Sequence, residues 1–232
     1  MVLAAGANNG GKERASLRYA ISDAEHFTRV MEGMGGVEPD RRILLKEPRV
    51  GDLSSALSQV KETVRQTRKP GDRVELIFYY SKHADETGLL LGGDRLTYQS
   101  LRDQLDAVQA DVHITVLDAC ASGAITRIKG GDRQKAFLVD ESSQMRGHAF
   151  LTSSSEDEVA QESDVIGGSY FTHHLVSGLR GAADFSGDGK VTLGEAYQHA
   201  FHETLAQTTD TRSSAQHPAY DINLAGTGDF VM

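Results

Sequence analysis

One cysteine, Cys120, is the only thiol among the 232 residues. An intramolecular disulfide and a multi-thiolate metal site are therefore excluded. No apolar run approaches the ~20 residues of a membrane span, so neither a span nor a membrane partner is expected. The start, Met1-Val2-Leu3-Ala4-Ala5-Gly6, has neither the charged opening nor the longer apolar stretch of a secretory leader. It reads as a first strand, and cytoplasm is the default localisation. Strand-like runs at both ends, Val2–Ala5 and Phe230–Met232, also suit a domain excised from a longer protein. Cations are scarce: 24 Lys+Arg stand against 33 Asp+Glu, a net charge of −9. A general nucleic-acid binder needs a cationic face, so that class is excluded, while a cationic substrate would be attracted. Hydrophobic residues at 39% and charged residues at 25% match globular usage and argue against wholesale disorder. A chain of this length buries a core without disulfides or metals.

Strand and helix patterns alternate. Val2–Ala5 is a short apolar run, followed by polar, Gly-rich Gly6–Ala15. Leu17, Ala20, Ile21, Ala24, Phe27 and Met31 then recur at helical spacing, and Gly33–Gly36 ends that helix. Arg42–Lys46 reads as a buried strand. Leu53, Ala56, Leu57, Val60 and Val64 mark a helix closed by Lys69-Pro70-Gly71. Val74–Tyr80 is β-branched and aromatic, hence a strand, and Leu89–Leu96 reads as a hairpin. Tyr98, Leu101, Leu105 and Val108 give a helix, Val112–Leu117 and His148–Thr152 strands, and Phe171–Leu179 a helix. The β-α-β order predicts one α/β domain over residues 1–232, a mostly parallel central sheet with helices on both faces. There is no internal repeat and no long linker; Ser122–Met145 reads as an embedded mobile loop.

Functional groups in parallel sheets gather beyond the carboxyl ends of strands. Here one strand ends Phe78-Tyr79-Tyr80 and runs into Ser81-Lys82-His83-Ala84. Another, His113–Leu117, runs into Asp118-Ala119-Cys120-Ala121-Ser122-Gly123. A lone cysteine is ordinarily a small buried apolar side chain. A thiol with an imidazole across from it is a nucleophile with its base. Neighbouring strands would place His83 and Cys120 in that relation. The other histidines (26, 113, 148, 173, 174, 199, 202 and 217) have no such context and read as surface or core residues; adjacent His173 and His174 cannot both face one metal from a helix.

The pair Tyr-Ser-Lys-His-Ala and Asp-Ala-Cys-Ala-Ser-Gly resembles the caspase/metacaspase superfamily of cysteine peptidases, most of all the bacterial caspase-like orthocaspase group. The resemblance spans nearly the whole chain: Leu17–Ala24, Phe150–Ser154 and Ser169–Thr172 are similar to further family segments, in the right order. It implies a caspase-like fold and an endopeptidase in which Cys120 attacks a peptide carbonyl and His83 handles protons. It also implies an oxyanion hole from the backbone N–H groups of Cys120 and Ala84. No cofactor is implied for the chemistry. One departure stands out: Lys82 occupies a position where the family usually has glycine, which tolerates backbone angles that lysine does not. Lys82 also sets a cation beside the dyad, so a catalytically impaired relative that binds partners or calcium is the alternative.

Basic-specific members carry carboxylates in the first specificity pocket, and Asp118, Asp23 and Ser81 fall at the matching positions. The resemblance therefore implies protein or peptide substrates cut after Arg or Lys; the plainer reading has Asp23 capping a helix and Asp118 ordering a loop. Arg127, Lys129, Arg133 and Lys135 in the 122–145 segment are candidate self-processing sites, or the basic residues of an ordinary solvated loop. Asp184–Glu195 follows the twelve-position EF-hand spacing. Side-chain oxygens come from Asp184, Ser186, Asp188, Thr192 and Glu195, a backbone carbonyl from Lys190, and Gly189 takes the turn. The same spacing serves as a helix-helix connector; a structural calcium ion is the expectation.

Overall fold

The computed structural model describes residues 1–10, 14–120, 141–155, 158–211, 215–227 and 229–232. Strand β1 (Val2–Gly6) leads through a loop to helix α1 (Ala20–Gly33), then β2 (Arg42–Lys46), α2 (Val50–Thr67) and β3 (Glu75–Ser81). A small antiparallel sheet follows, β4 (Ala84–Asp85), β5 (Gly88–Leu91) and β6 (Asp94–Thr97). Next come α3 (Tyr98–Asp106), β7 (Val112–Asp118), β8 (Glu141–Thr152) and a short hairpin of β9 (Glu162–Ser163) with β10 (Gly168–Ser169). Helices α4 (Tyr170–Ser177) and α5 (Leu193–Thr208) precede β11 (Ala219–Thr227).

The central sheet has the order β11-β8-β7-β3-β1-β2, with only β11 antiparallel to its neighbour. Alternation along the strands divides the core in two. Ile77 and Tyr79 of β3 face the side covered by α1, α4 and α5, where Phe27, Phe171, Leu175 and Ala196 are buried. Leu76, Phe78 and Tyr80 face the other side, against Leu53, Leu57 and Val60 of α2 and Leu101 and Leu105 of α3. Phe27 stacks on Tyr79 at a centroid distance of 4.5 Å, fixing α1 across the sheet.

Several boundaries differ from the sequence reading. Leu17 is not helical: its N–H donates to the Asn8 carbonyl at 2.8 Å, and α1 begins three residues later. Leu179 lies in a wide turn after α4, Gly178–Ala182, where Gly181 takes φ 111°. Residues 141–145, assigned to the loop, belong to β8. Phe230–Met232 is not a strand; a single bridge joins Val231 to Thr192, because β11 already occupies the sheet edge beside β8. Among the described residues no helix is long and apolar enough to cross a membrane.

Phe27→Ala is expected to lower the unfolding free energy by about 3–5 kcal/mol, because it opens a cavity under α1. Urea denaturation checks this, with an unchanged slope reporting the same two-state transition.

Candidate active site

Strands β3 and β7 are parallel neighbours in the register Ser81 opposite Asp118. The next residues of each strand, Lys82-His83 and Ala119-Cys120, therefore meet beyond the same edge. Ser81, Lys82, His83, Asp118 and Cys120 line one cleft, walled by Leu17, Glu162 and Ser169. Its cavity is about 20 Å³, room for one water.

The imidazole is held by backbone. His83 Nε2 lies 2.8 Å from the Ala15 carbonyl oxygen, which can only accept, so Nε2 carries the proton and Nδ1 is the basic nitrogen of the neutral ring. Burial lowers the His83 pKa, against the Ala15 bond; the Arg14 and Lys82 charges lower it further. Burial also pushes the Cys120 thiol up, with the Asp118 carboxyl adding to it. Both shifts favour a resting thiol and neutral imidazole over a thiolate-imidazolium pair. The turn before the thiol is clamped: Ala119 N–H donates to Ser153 Oγ at 3.0 Å, and Ser154 Oγ donates to the Ala119 carbonyl at 3.1 Å.

Asp23 from α1 and Asp118 from β7 are both buried. Ser169, at the end of β10, is divided between them. Its N–H donates to Asp23 Oδ2 at 3.1 Å, and its hydroxyl donates to Asp118 Oδ2. Thr172 Oγ1 adds a bond to Asp118 Oδ2 at 2.6 Å. Burial, then the Asp118 charge, pushes Asp23 up to about 8, against the Ser169 N–H bond. Burial raises Asp118 as well, against its hydroxyl donors. Both shifts run toward the protonated form, and Ser169 links the two carboxyls, so ionising both at once is costly. Asp118 lines the cleft, whereas Asp23 stands behind it, against Gly168. Asp23 is thus no exposed helix cap.

The loop between β1 and α1, which supplies the Ala15 carbonyl, is fastened at several points. Glu47 Oε1 accepts from the N–H groups of Asn8 and Asn9 at 2.8 and 3.2 Å. Asn8 in turn accepts from Ile21 N–H at 3.0 Å and donates to the Arg18 carbonyl at 3.2 Å. Glu162 accepts from the N–H groups of Arg18 and Tyr19 at 2.9 and 3.1 Å. Among the described residues Glu47, with φ 51°, is the one non-glycine in the left-handed region, so Lys82 occupies ordinary backbone. The conformational objection to a lysine there is removed. Lys82 is buried, with its pKa lowered by burial and raised by Glu47.

Ala84 is buried on β4 but does not line the cleft. The Leu90 N–H to His83 carbonyl bond makes 83 and 90 the hydrogen-bonded pair, so by alternation the Ala84 N–H points away from β5. The candidate processing residues Arg127, Lys129, Arg133 and Lys135 lie outside the described residues. Glu162, Ser153, Ser154 and the Ala15 carbonyl were not anticipated as parts of the site. Only the polarity of Gly6–Ala15 and the Phe150–Ser154 segment pointed toward any of them.

In the 184–195 loop, Asp184 accepts from the N–H groups of Gly187, Asp188 and Gly189 at 2.8, 3.2 and 2.9 Å. Thr192 and Glu195 form a reciprocal capping box at the start of α5. The oxygens that match calcium positions thus also have local backbone partners. Among the described residues no group of three or more His, Cys, Asp or Glu side chains is gathered to hold a metal.

A family model described as the caspase domain (Peptidase C14) matches residues 1–226. No curated protein matches the chain. The six-stranded, mostly parallel sheet with helices on both faces agrees with that family's fold.

An Asp whose folded-state pKa is raised contributes stability below its unfolded value of 3.8, and that contribution is lost as pH rises to about 8. Asp23→Asn should therefore flatten the fall in melting temperature between pH 5 and pH 8 and be the more stable form at the upper end. Differential scanning calorimetry across that range checks it; parallel curves for the two proteins contradict the buried-pair reading.

Proposed function

The chain belongs to the caspase-domain family of cysteine peptidases, and we propose that it is an active endopeptidase that cleaves after Arg or Lys with Cys120 as nucleophile and His83 as base. The observation that carries this reading is His83 Nε2 on the Ala15 carbonyl, with the Cys120 thiol in the same cleft. In the reaction, the Sγ proton passes to His83 Nδ1 as sulfur bonds to the scissile carbonyl carbon. The carbonyl electron pair moves onto oxygen, where the Cys120 and Ala84 N–H groups would receive it. Collapse expels the amine, which takes the proton from Nδ1 and leaves a thioester on Cys120. Water then attacks the thioester with His83 again as base, releasing the acid and restoring the thiol.

Asp118 at the base of the cleft, Asp23 behind it and Ser81 beside it support a cationic side chain at the scissile residue. Guanidinium binding would favour the ionised form of the carboxyl pair. A cavity the size of one water requires Leu17 or the β9–β10 hairpin to yield before an arginine enters. The intact dyad and the ordinary backbone at Lys82 favour this over a binding-only relative.

Calcium at 184–195 is part of the same proposal. Asp184, Ser186, Asp188, Thr192 and Glu195 with the Lys190 carbonyl would hold it, and the ion would stabilise the α4–α5 connection without entering the chemistry.

Paired fluorogenic peptides differing only at the scissile residue test the reaction. Hydrolysis of the Arg peptide is expected to exceed that of the Asp peptide by about a hundredfold or more, and to fall at least about a thousandfold in Cys120→Ala. Faster turnover of the Asp peptide rejects the pocket, and activity that survives in Cys120→Ala rejects the nucleophile. Inactivity of the parent protein that Lys82→Gly relieves assigns the block to Lys82. For calcium, a rise in melting temperature in millimolar calcium, abolished in Glu195→Gln, is the expected outcome; an unshifted melt removes the metal from the account.

A further inference from the structure

On the far side of Asp23 from the cleft, a second cavity of about 240 Å³ lies between α1 and α4. Its polar lining includes two guanidinium groups, Arg29 of α1 and Arg180 of the turn after α4, together with His26, Thr172, His173 and Ser177. Its floor is Gly167-Gly168, without side chains, in front of Asp23. In a protein of net charge −9, this concentration of positive groups runs against the surrounding surface. Among the described residues neither Arg29 nor Arg180 has an ion-pair or hydrogen-bond partner. Half-buried Glu25, one turn before Arg29 on α1, is paired with Lys46 at 2.5 Å and feels the Arg29 charge only after that of Lys46.

We propose that this groove binds a phosphate-type dianion, held by the two guanidinium groups of Arg29 and Arg180 with the His26 and His173 rings beside it. Two guanidinium groups lining one cavity suit a tetrahedral oxyanion better than a single carboxylate, since each planar fork can take two oxygens. Burial, then Arg29 and Arg180, lowers the His26 pKa; burial, then Arg180 and His26, lowers that of His173. Both rings are therefore neutral at pH 7, able to donate or accept one hydrogen bond each, and the positive charge of the groove is that of Arg29 and Arg180. Asp23 opposes it weakly, because its carboxyl is buried, turned to the Ser169 N–H, and pushed up to about 8. The floor admits close approach: Gly167 takes φ +70° with open space around its missing Cβ. A Cβ at Gly168 would stand 2.8 Å from Asp23 Oδ1, so the wall between groove and carboxyl is one bare backbone thick.

This site is separate from the peptidase reading, and its test reads binding rather than turnover. Isothermal titration of the protein with inorganic phosphate at pH 7, against chloride at matched ionic strength, should give saturable one-to-one binding near about 1 mM or tighter. Arg29→Gln and Arg180→Gln should each weaken it about tenfold or more, and the double variant should abolish it. Arg65→Gln, on the remote α2 surface, should leave it unchanged. O-phosphoserine in a second titration separates the sources: tighter binding than phosphate assigns the groove to phosphate esters, and weaker binding to the free ion. In the unaltered protein, phosphate should protect Arg29 and Arg180 from phenylglyoxal, read by mass spectrometry. That measurement decides the matter should a variant misfold. Heats no greater than those of chloride, binding that survives in the double variant, or unprotected arginines overturn the proposal.

Discussion

Ser169 divides its two polar groups between two buried carboxyls, and much of the active end of the molecule is arranged around that division. Its N–H holds Asp23 on α1, and its hydroxyl holds Asp118 at the tip of β7. The same hydroxyl accepts the Thr172 N–H at 3.1 Å and so caps α4. One residue thereby fixes a strand tip, two helices and the β9–β10 hairpin relative to each other. The cost is the withdrawal of two acidic groups from water, which the hydroxyl and N–H donors offset only in part. Such a pair is a poor stabiliser, a cost carried where the strand tips meet.

The imidazole is governed by a different device. Among the described residues His83 has no carboxylate hydrogen-bond partner; a main-chain carbonyl sets its tautomer, and burial favours the neutral ring. Its orientation depends on the loop at Ala15, which in turn depends on Asn8, Glu47 and Glu162 from three separate parts of the chain. The thiol is likewise fixed by its neighbour's backbone, through Ser153 and Ser154. Ser153 is itself tied to the fully buried Gln216, whose amide donates to its carbonyl at 2.7 Å while accepting the Gln161 N–H at 2.9 Å.

Much of this architecture was legible in the sequence because its signals are local. Val74–Tyr80 and Val112–Leu117 read as strands by composition, and their parallel pairing brings His83 and Cys120 to one edge. Asp118 stood out because it lies two residues before Cys120. Ser169, Glu162 and Gln216 were not legible, since their roles arise from pairings more than fifty residues away and from bonds to backbone, which leave no pattern. Strand β11 was missed because Ala219–Thr227 mixes Asp221, Asn223 and Gly226 into an edge strand that presents one side to solvent. The 184–195 loop illustrates ambiguity: Thr192 and Glu195, three apart, satisfy a calcium spacing and a helix-capping box with the same atoms.

The Ser169 junction joins residues 146 positions apart in one case and 51 in the other. During synthesis, then, the thiol and imidazole leave the ribosome well before the serine that arranges the acidic pair. A nascent chain halted before Ser169 carries Asp23, His83, Asp118 and Cys120 without the residue that divides its bonds between the two carboxyls. The acidic end of the cleft therefore takes its final arrangement only once the last third of the polypeptide has been made and folded onto the rest.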